Sequence, residues 1–557
     1  MKDRGIVDQI KRRTGTSILS FALLSIIVMY ALEYCVVFIG GPSFYGDDTT
    51  YLSLAYNMIS GPFRESQYIF SIRLMQIVPI AAFYHLFGIN LFSSSAWDVL
   101  SFLGSIVIAF YVGKELVDER SGLISALLMA FFPTVVVLAP TISDDITMMF
   151  LTSLAMLSLL YGQKYRSQKW MFLCGTLLVA SPLTSPEGAI IIVVAAAYFL
   201  GELVRGRIGA RMVIGVVCGI IAAGALLMLA NFLLSGNPLI TYTTTSEFYA
   251  AVGVRGPGNA YLTIPTTDTS LGFYIKNMFP YNVASTLYSS LASLDLNPID
   301  IWNNIYLINY NQVGFFFYAA LFAGIFLVYL ALFKKDGRAY FALFWLVGGF
   351  LYLEIGPMSV SLSPFHYLLA YRLQRFLTII AVPTTVVIGI AMSEAMRSKG
   401  FMRRPAQGIV VLSIVFLIAT AIQINYFWYT ILYVERYDQL AIANYMSRLP
   451  NNTPIYAQSS VSSLPIYMAF DNMSRFYIYD QIKSCTDIPM GAYVAIPTYG
   501  NELGLSYVPN PLIDCPYWKT VLPSPVFSSM PEQVTTAAAP FRVSLYYVPE
   551  NASNTIG

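Results

Sequence analysis

The chain carries about eleven apolar runs, and no water-soluble fold accommodates that many. They lie near 17–39, 89–112, 121–139, 146–162, 169–182, 187–204, 211–234, 311–333, 339–355, 373–393 and 406–430, and the stretch 72–88 is ambiguous. A hydrocarbon layer about 30 Å thick needs roughly 20 such residues per helix. Composition agrees, because the 557 residues are 57% hydrophobic and only 11% charged, where soluble domains carry roughly 25% charged residues. The expected fold class is therefore an all-α polytopic membrane protein of about 11 transmembrane helices. The near balance of 32 basic and 30 acidic residues argues against a nucleic-acid binder, which clusters Lys and Arg on phosphates.

Orientation follows from where the basic residues fall in the short loops. With the N-terminus in the cytoplasm, segments 1–16, 113–120, 163–169, 201–211, 334–338 and 394–404 face inward and hold 20 of the 32 basic residues but only eight acids. The rest of the chain then carries a surplus of acids. The first run is too long for a removable signal peptide and lacks a small-residue cleavage site, so it is expected to stay as an anchor. An odd number of spans places the C-terminus outside, and the expected location is the plasma membrane.

This topology leaves three long extracytoplasmic pieces: loops 40–71 and 235–310, and the tail 431–557. Residues 1–430 are expected to form the membrane domain. The tail changes to short alternating β-branched and aromatic segments, such as SRFYIYD at 474–480 and RVSLYYV at 542–548, which read as a small α/β or β-rich domain. Cys35, Cys174 and Cys218 lie in apolar runs as small hydrophobes. Cys485 and Cys515 lie in the tail, where oxidation is allowed, and are expected to form a disulfide worth roughly 3 to 4 kcal/mol. Neither histidine is in the tail, so a zinc site there has too few ligands. Three glycosylation sequons, at Asn451, Asn472 and Asn551, suit the same placement.

Ionisable residues near the membrane are functional candidates by default, and four groups sit at the outer ends of the runs. Asp47 and Asp48 follow the first run in GPSFYGDDTTYLSLAYNMISG. Adjacent carboxylates repel, so one of them is suited to act as a base, or both to hold a cation; their structural alternative is capping the next helix. That helix shows a stripe of Leu52, Ala55, Tyr56 and Ile59, suited to lying on the membrane surface. Asp144 and Asp145 stand at the next outward turn. Arg372 and Arg375 share a helix face at an outer end, with His366 upstream, and a guanidinium fork suits phosphate as well as it suits snorkelling to headgroups. Arg64 and Arg73 lie on or beside the first loop.

These residues carry a resemblance. The outer acidic pair, the Tyr-rich helix after it, a basic residue and then LFGIN resemble the first-loop signature of the GT-C superfamily, membrane glycosyltransferases that use polyprenyl-phosphate sugars. The stretch FYVGKELVDERSGLISALLMAFFPTVVVLAPTISDDITMMFLTSLAML resembles the third and fourth spans of that family, SPLTSPEGAIIIV its fifth-to-sixth turn and YRLQRFLTIIAVP its late Arg-aromatic-Pro span. The pattern, over roughly 17–395, is most similar to the protein-mannosyltransferase and lipid-A aminoarabinose-transferase branches. Three departures stand out. The pair is Asp-Asp where many members have Asp-Glu, Arg73 stands where the aminoarabinose branch has lysine, and the six tryptophans are never adjacent, which argues against the oligosaccharyltransferase branch and its Trp-Trp-Asp-Tyr-Gly motif.

The resemblance implies transfer of a sugar from a dolichyl or undecaprenyl phosphate donor to a glycan, lipid or protein acceptor, with inversion, on the extracytoplasmic face. Asp47, or else Asp48, would be the general base. Arg73, Arg372 and Arg375 would bind the donor phosphate, and Asp144, Asp145 and His366 would position the acceptor or a metal. No metal is expected to be obligatory, although a divalent ion remains compatible with the acidic pairs. Two other classes fit less well: a secondary transporter, which would show inverted repeats and mid-span charges and for which Glu187 is the single candidate, and a non-enzymatic assembly protein displaying the tail.

Overall fold

The computed structural model describes residues 16–39, 47–61, 70–245, 247, 315–333, 338–355, 357–362, 365–369, 374–398, 401, 403–457, 475–478, 487–498, 515, 517–522 and 542–549. Its membrane part contains helices α1 (Ile18–Phe38), α2 (Asp47–Ser60), α3 (Leu74–Phe87), α4 (Leu91–Leu116), α5 (Glu119–Ala130), α6 (Pro133–Leu138), α7 (Asp144–Lys164), α8 (Gln168–Ala180), α9 (Ile190–Val204), α10 (Ala210–Ser235), α11 (Phe315–Phe333), α12 (Arg338–Ile355), α13 (Ala381–Met396) and α14 (Arg403–Met446). Among the described residues, eight helical segments are long and apolar enough to cross a membrane: 18–38, 91–116, 144–164, 187–204, 210–235, 315–333, 377–396 and 403–425. The chain is an integral membrane protein.

The other three expected runs are helical but short or broken. The run 121–139 splits at Phe131 and Phe132, because Pro133 lacks a backbone donor and opens α6 at its first turn. Run 169–182 forms the 13-residue α8, and within run 339–355 the apolar stretch is Tyr340–Leu353. The ambiguous 72–88 stretch becomes α3, with Pro79 inside it.

Burial sorts the helices into an inner and an outer set. The central windows of α7 and the 377–396 segment are 83% and 78% buried, whereas those of α1 and α10 are each 17% buried. The inner set packs through small residues: a Cβ on Gly122 would lie 2.4 Å from the Phe110 carbonyl oxygen, and one on Gly389 would lie 2.2 Å from the Ser125 hydroxyl. Close approach of this kind replaces the hydrophobic driving force that lipid does not supply.

Between α12 and α13 lie an antiparallel hairpin, β1 (Pro357–Leu362) and β2 (Phe365–Leu369), and a 3-10 segment Gln374–Ile380. Helix α14 runs without a break for 44 residues from its membrane-crossing part to Met446. A mixed five-stranded sheet follows, of β3 (Ile455–Ala457), β4 (Phe476–Ile478), β5 (Tyr493–Thr498), β6 (Lys519–Leu522) and β7 (Arg542–Tyr547), in the order β4-β3-β5-β7-β6. Strands β4, β3 and β5 are parallel, and β5, β7 and β6 antiparallel. Both alternating segments singled out in the tail thus supply strands, β4 and β7. Arg475 ties sheet to helix by donating to the carbonyls of Met446 and Pro450 at 3.3 and 3.2 Å. Cys515 is disulfide-bonded, while Cys35, Cys174 and Cys218 are free; Cys485 lies outside the described residues.

Candidate active site

Helix α2 begins at Asp47, so Asp47 and Asp48 stand in its first turn and do not precede it as caps. There their charge complements the helix dipole. Asp48 is buried at 8% exposure, and the Asp47 side chain lies outside the described residues. The stripe on α2 is rotated relative to the expected one. Tyr51, Leu52 and Ala55 are fully buried against Ile77, Ile80, Ala81 and Tyr84 of α3 and Ile142, whereas Ile59 is exposed. The helix therefore buries this face in protein, because α3 offers an apolar wall that the sequence pattern of α2 alone does not reveal.

One turn after Asp48, Tyr51 faces a buried ion pair. Its hydroxyl donates to Asp144 Oδ2 at 3.1 Å. Arg73, at the start of α3, donates through Nη1 to both Asp144 Oδ2 and the Tyr51 hydroxyl. The guanidinium stands 4.9 Å from the Phe70 ring centroid and 5.7 Å from that of Tyr51, and the two rings meet edge to face. Aromatic faces on a desolvated cation add to the carboxylate's hold. Arg73 and Asp144, expected at one site from the resemblance, are thus in direct contact.

Ser143 takes the N-cap position of α7, and Asp144 and Asp145 form its first turn. Both are buried, at 3% and 1% exposure. The Ser143 hydroxyl donates to Asp145 Oδ2 at 3.4 Å. Among the described residues no group of three His, Cys, Asp or Glu is placed to hold a metal. Arg64 and Arg372 lie outside the described residues, as do the side chains of His366 and Arg375, whose backbones belong to β2 and the 3-10 segment. Glu187 is buried at the start of a 3-10 turn and accepts from the Ser185 hydroxyl.

Two participants were not singled out in the sequence. Tyr51 looked like part of a Tyr-rich surface. Asp98 is the single charged residue in the 89–112 run, which is itself a signal although it does not lie at an outer end; it is fully buried in α4.

The opposite end of the bundle is also charged. Arg397 bridges Asp118 at 2.8 Å and Glu394 at 2.6 Å, Glu119 accepts from the Ser17 and Ser20 hydroxyls at 2.5 and 2.6 Å, and Lys114 donates to Thr16. Partial burial pushes the Asp118 carboxyl up, but the Ser121 backbone N–H, Arg397 and Ser393 outweigh it and hold the group below its ordinary value.

Residues 75–234 match the model of the dolichyl-phosphate-mannose-protein mannosyltransferase family, a span that contains Asp98, Asp144 and Asp145. No curated protein sequence matches the chain. Among solved structures, ArnT from Cupriavidus metallidurans in the apo state superposes with a TM-score of 0.51 at 13% identity, covering 95% of this chain and 98% of that one. The same ArnT bound to undecaprenyl phosphate gives 0.49 at 13% identity, over 96% and 98% of the two chains. The apo oligosaccharyltransferase of Archaeoglobus fulgidus gives 0.49 at 12%, over 86% of this chain and 69% of its own. The expected resemblance therefore holds at the level of architecture: the chain has the GT-C fold of ArnT along nearly its whole length.

Proposed function

We propose that the protein is a membrane glycosyltransferase that moves a single hexose from a polyprenyl-phosphate donor to an acceptor hydroxyl on the extracytoplasmic face. The observation that carries this reading is the Arg73–Asp144–Tyr51 cluster next to the Asp47-Asp48 turn, at one end of a GT-C fold. It gathers a cation suited to phosphate and carboxylates suited to a hydroxyl. The family match in 75–234 supports the same class, and ArnT, whose fold this chain has, binds undecaprenyl phosphate.

The chemistry is one displacement. The acceptor oxygen attacks the anomeric carbon, its proton passes to Asp47 or Asp48, and the bond from that carbon to the phosphate oxygen breaks with inversion. Polyprenyl phosphate leaves as a stable anion, so it needs neutralisation and not a proton. Arg73 supplies charge at the site, with Asp144 orienting its guanidinium, and Arg372 and Arg375 are assigned to the same phosphate. Asp145 and His366 are assigned to the acceptor. A lipid monophosphate lacks the diphosphate that commonly calls for a metal, and no obligatory metal is assigned. The membrane part up to about residue 430 would hold the catalytic groups, with loop 235–310 and the tail choosing the acceptor. The surplus of basic residues at the end opposite this site supports an orientation in the plasma membrane with that end in the cytoplasm.

The test is to incubate the purified protein with radiolabelled polyprenyl-phosphate mannose or glucose and host envelope material as acceptor. Label should leave the donor lipid, and the product's anomeric configuration should be opposite to the donor's. Retention of configuration would remove the single-displacement scheme, and a donor left intact would remove the assigned activity.

A further inference from the structure

Asp98 lies about two turns into α4, completely buried. A carboxylate inside a membrane span is expensive and calls for a reason. Its contacts supply one. Gln76 Nε2 donates to both carboxylate oxygens at 3.2 and 3.1 Å, the Ser143 backbone N–H donates at 3.2 Å and the Thr147 hydroxyl at 3.0 Å. All of these groups are donors, and they come from two pieces of chain, α3 and the start of α7.

Their positions are what matter. Gln76 lies three residues after Arg73 on α3, Ser143 immediately precedes Asp144, and Thr147 lies three residues after it. Each half of the Arg73–Asp144 pair is thus tied, within one helical turn, to the same carboxylate. Only a side chain with two acceptor oxygens can take all these bonds together; asparagine offers one. The buried Ser105 hydroxyl of the same helix, by contrast, bonds to the Ser101 carbonyl one turn earlier in α4.

We infer that Asp98 is a positioning residue for the donor-phosphate site, holding Arg73 and Asp144 in fixed register so that the guanidinium meets a lipid phosphate already oriented. This rests on the proposed reading of Arg73 as a phosphate ligand. Asp98 itself touches neither donor nor acceptor, and its effect reaches them through Gln76 on one side and Ser143 and Thr147 on the other. Misplacement of a binding group by one ångström is enough to lose much of its contribution.

The test measures binding of undecaprenyl phosphate, without sugar, to the full chain in lipid nanodiscs. Arg73→Gln should weaken binding about tenfold, and Asp98→Leu should weaken it by about the same factor. The double variant should bind no more weakly than Arg73→Gln alone, because both changes disable one group. Asp98→Asn, which keeps one acceptor oxygen, should recover part of the loss, and Ser105→Ala should bind as wild type. If Asp98→Leu does not fold, Asp98→Asn and Gln76→Leu take its place in the cycle. Asp98 variants that bind normally while Arg73→Gln fails, or losses that add in the double variant, would overturn the inference. If Arg73→Gln binds as wild type, the phosphate reading of Arg73 falls instead. Asp98 is then judged by thermal unfolding of Asp98→Asn, Asp144→Asn and their combination, where non-additive shifts support positioning and additive shifts end it.

Discussion

Arg73 and Asp144, 71 residues apart in sequence, form a buried ion pair that ties the start of α3 to the first turn of α7. Removing one member strands the other in a site that is nearly closed to water, with side-chain exposures of 12% and 5%. Either Arg73→Leu or Asp144→Leu should therefore destabilise the protein by about 3 kcal/mol. The combined Arg73→Met/Asp144→Leu variant should regain most of that stability, since an apolar pair of similar volume avoids the desolvation cost, yet it should bind lipid phosphate about tenfold more weakly than wild type. Thermal unfolding and lipid binding of the same three preparations check both halves; a double variant that binds normally would detach the pair from phosphate recognition.

Helices α8 and α10 meet through glycine. A Cβ on Gly219 would lie 2.1 Å from the Phe172 carbonyl oxygen, and one on Gly175 equally close to that of Val216. Backbone atoms cannot move aside singly, so Gly219→Ala or Gly175→Ala should separate the helices and lower stability by about 1 to 3 kcal/mol. Gly224, with open space around its missing Cβ, should accept alanine without loss. Melting temperatures of the three variants in one detergent decide it.

Metal removal should have little effect. A leaving lipid monophosphate neutralised by arginine needs no divalent ion, so prolonged dialysis against EDTA should leave the transfer rate within about a factor of two of the untreated enzyme. A loss restored by magnesium or manganese would move Asp47, Asp48, Asp144 or Asp145 from proton and acceptor handling to metal ligation.

At the far end of the bundle, Asp118 sits below its ordinary carboxylate value, held there by the Ser121 N–H, Arg397 and Ser393 against the opposing effect of partial burial. A carboxyl depressed by folding stabilises the protein above its unfolded value near 4, and that contribution is lost as pH falls through its folded value. The stability gap between wild type and Arg397→Gln should be steady from about pH 8 to about pH 5 and should close below about pH 4. A gap that persists unchanged in acid would show that Arg397 acts by packing and not by charge.

The apolar runs made the membrane architecture readable, because they follow from the bilayer and need no knowledge of partners. The strands at 476–478 and 542–547 were visible for a similar reason, as alternation is a local property. The site was readable only in part. Asp144 announced itself by position, but nothing local says that it meets Arg73, or that Tyr51 turns toward both; those contacts depend on how α2 and α3 fold back on α7. The rotation of the α2 stripe has the same origin. Asp98 shows the limit differently: its presence in an apolar run was a signal, but its meaning lies in Gln76, Ser143 and Thr147, which only the fold brings to it.

The proposed sugar transfer from a polyprenyl phosphate uses an aspartate of the first loop as base. It is tested most directly by measuring label transferred from a radiolabelled polyprenyl-phosphate sugar by wild type, Asp47→Asn and Asp48→Asn, each shown to be folded and to bind undecaprenyl phosphate. Wild type should transfer label and one of the two variants should be slower by about 100-fold or more; full activity in both variants, or no transfer by wild type, would contradict it.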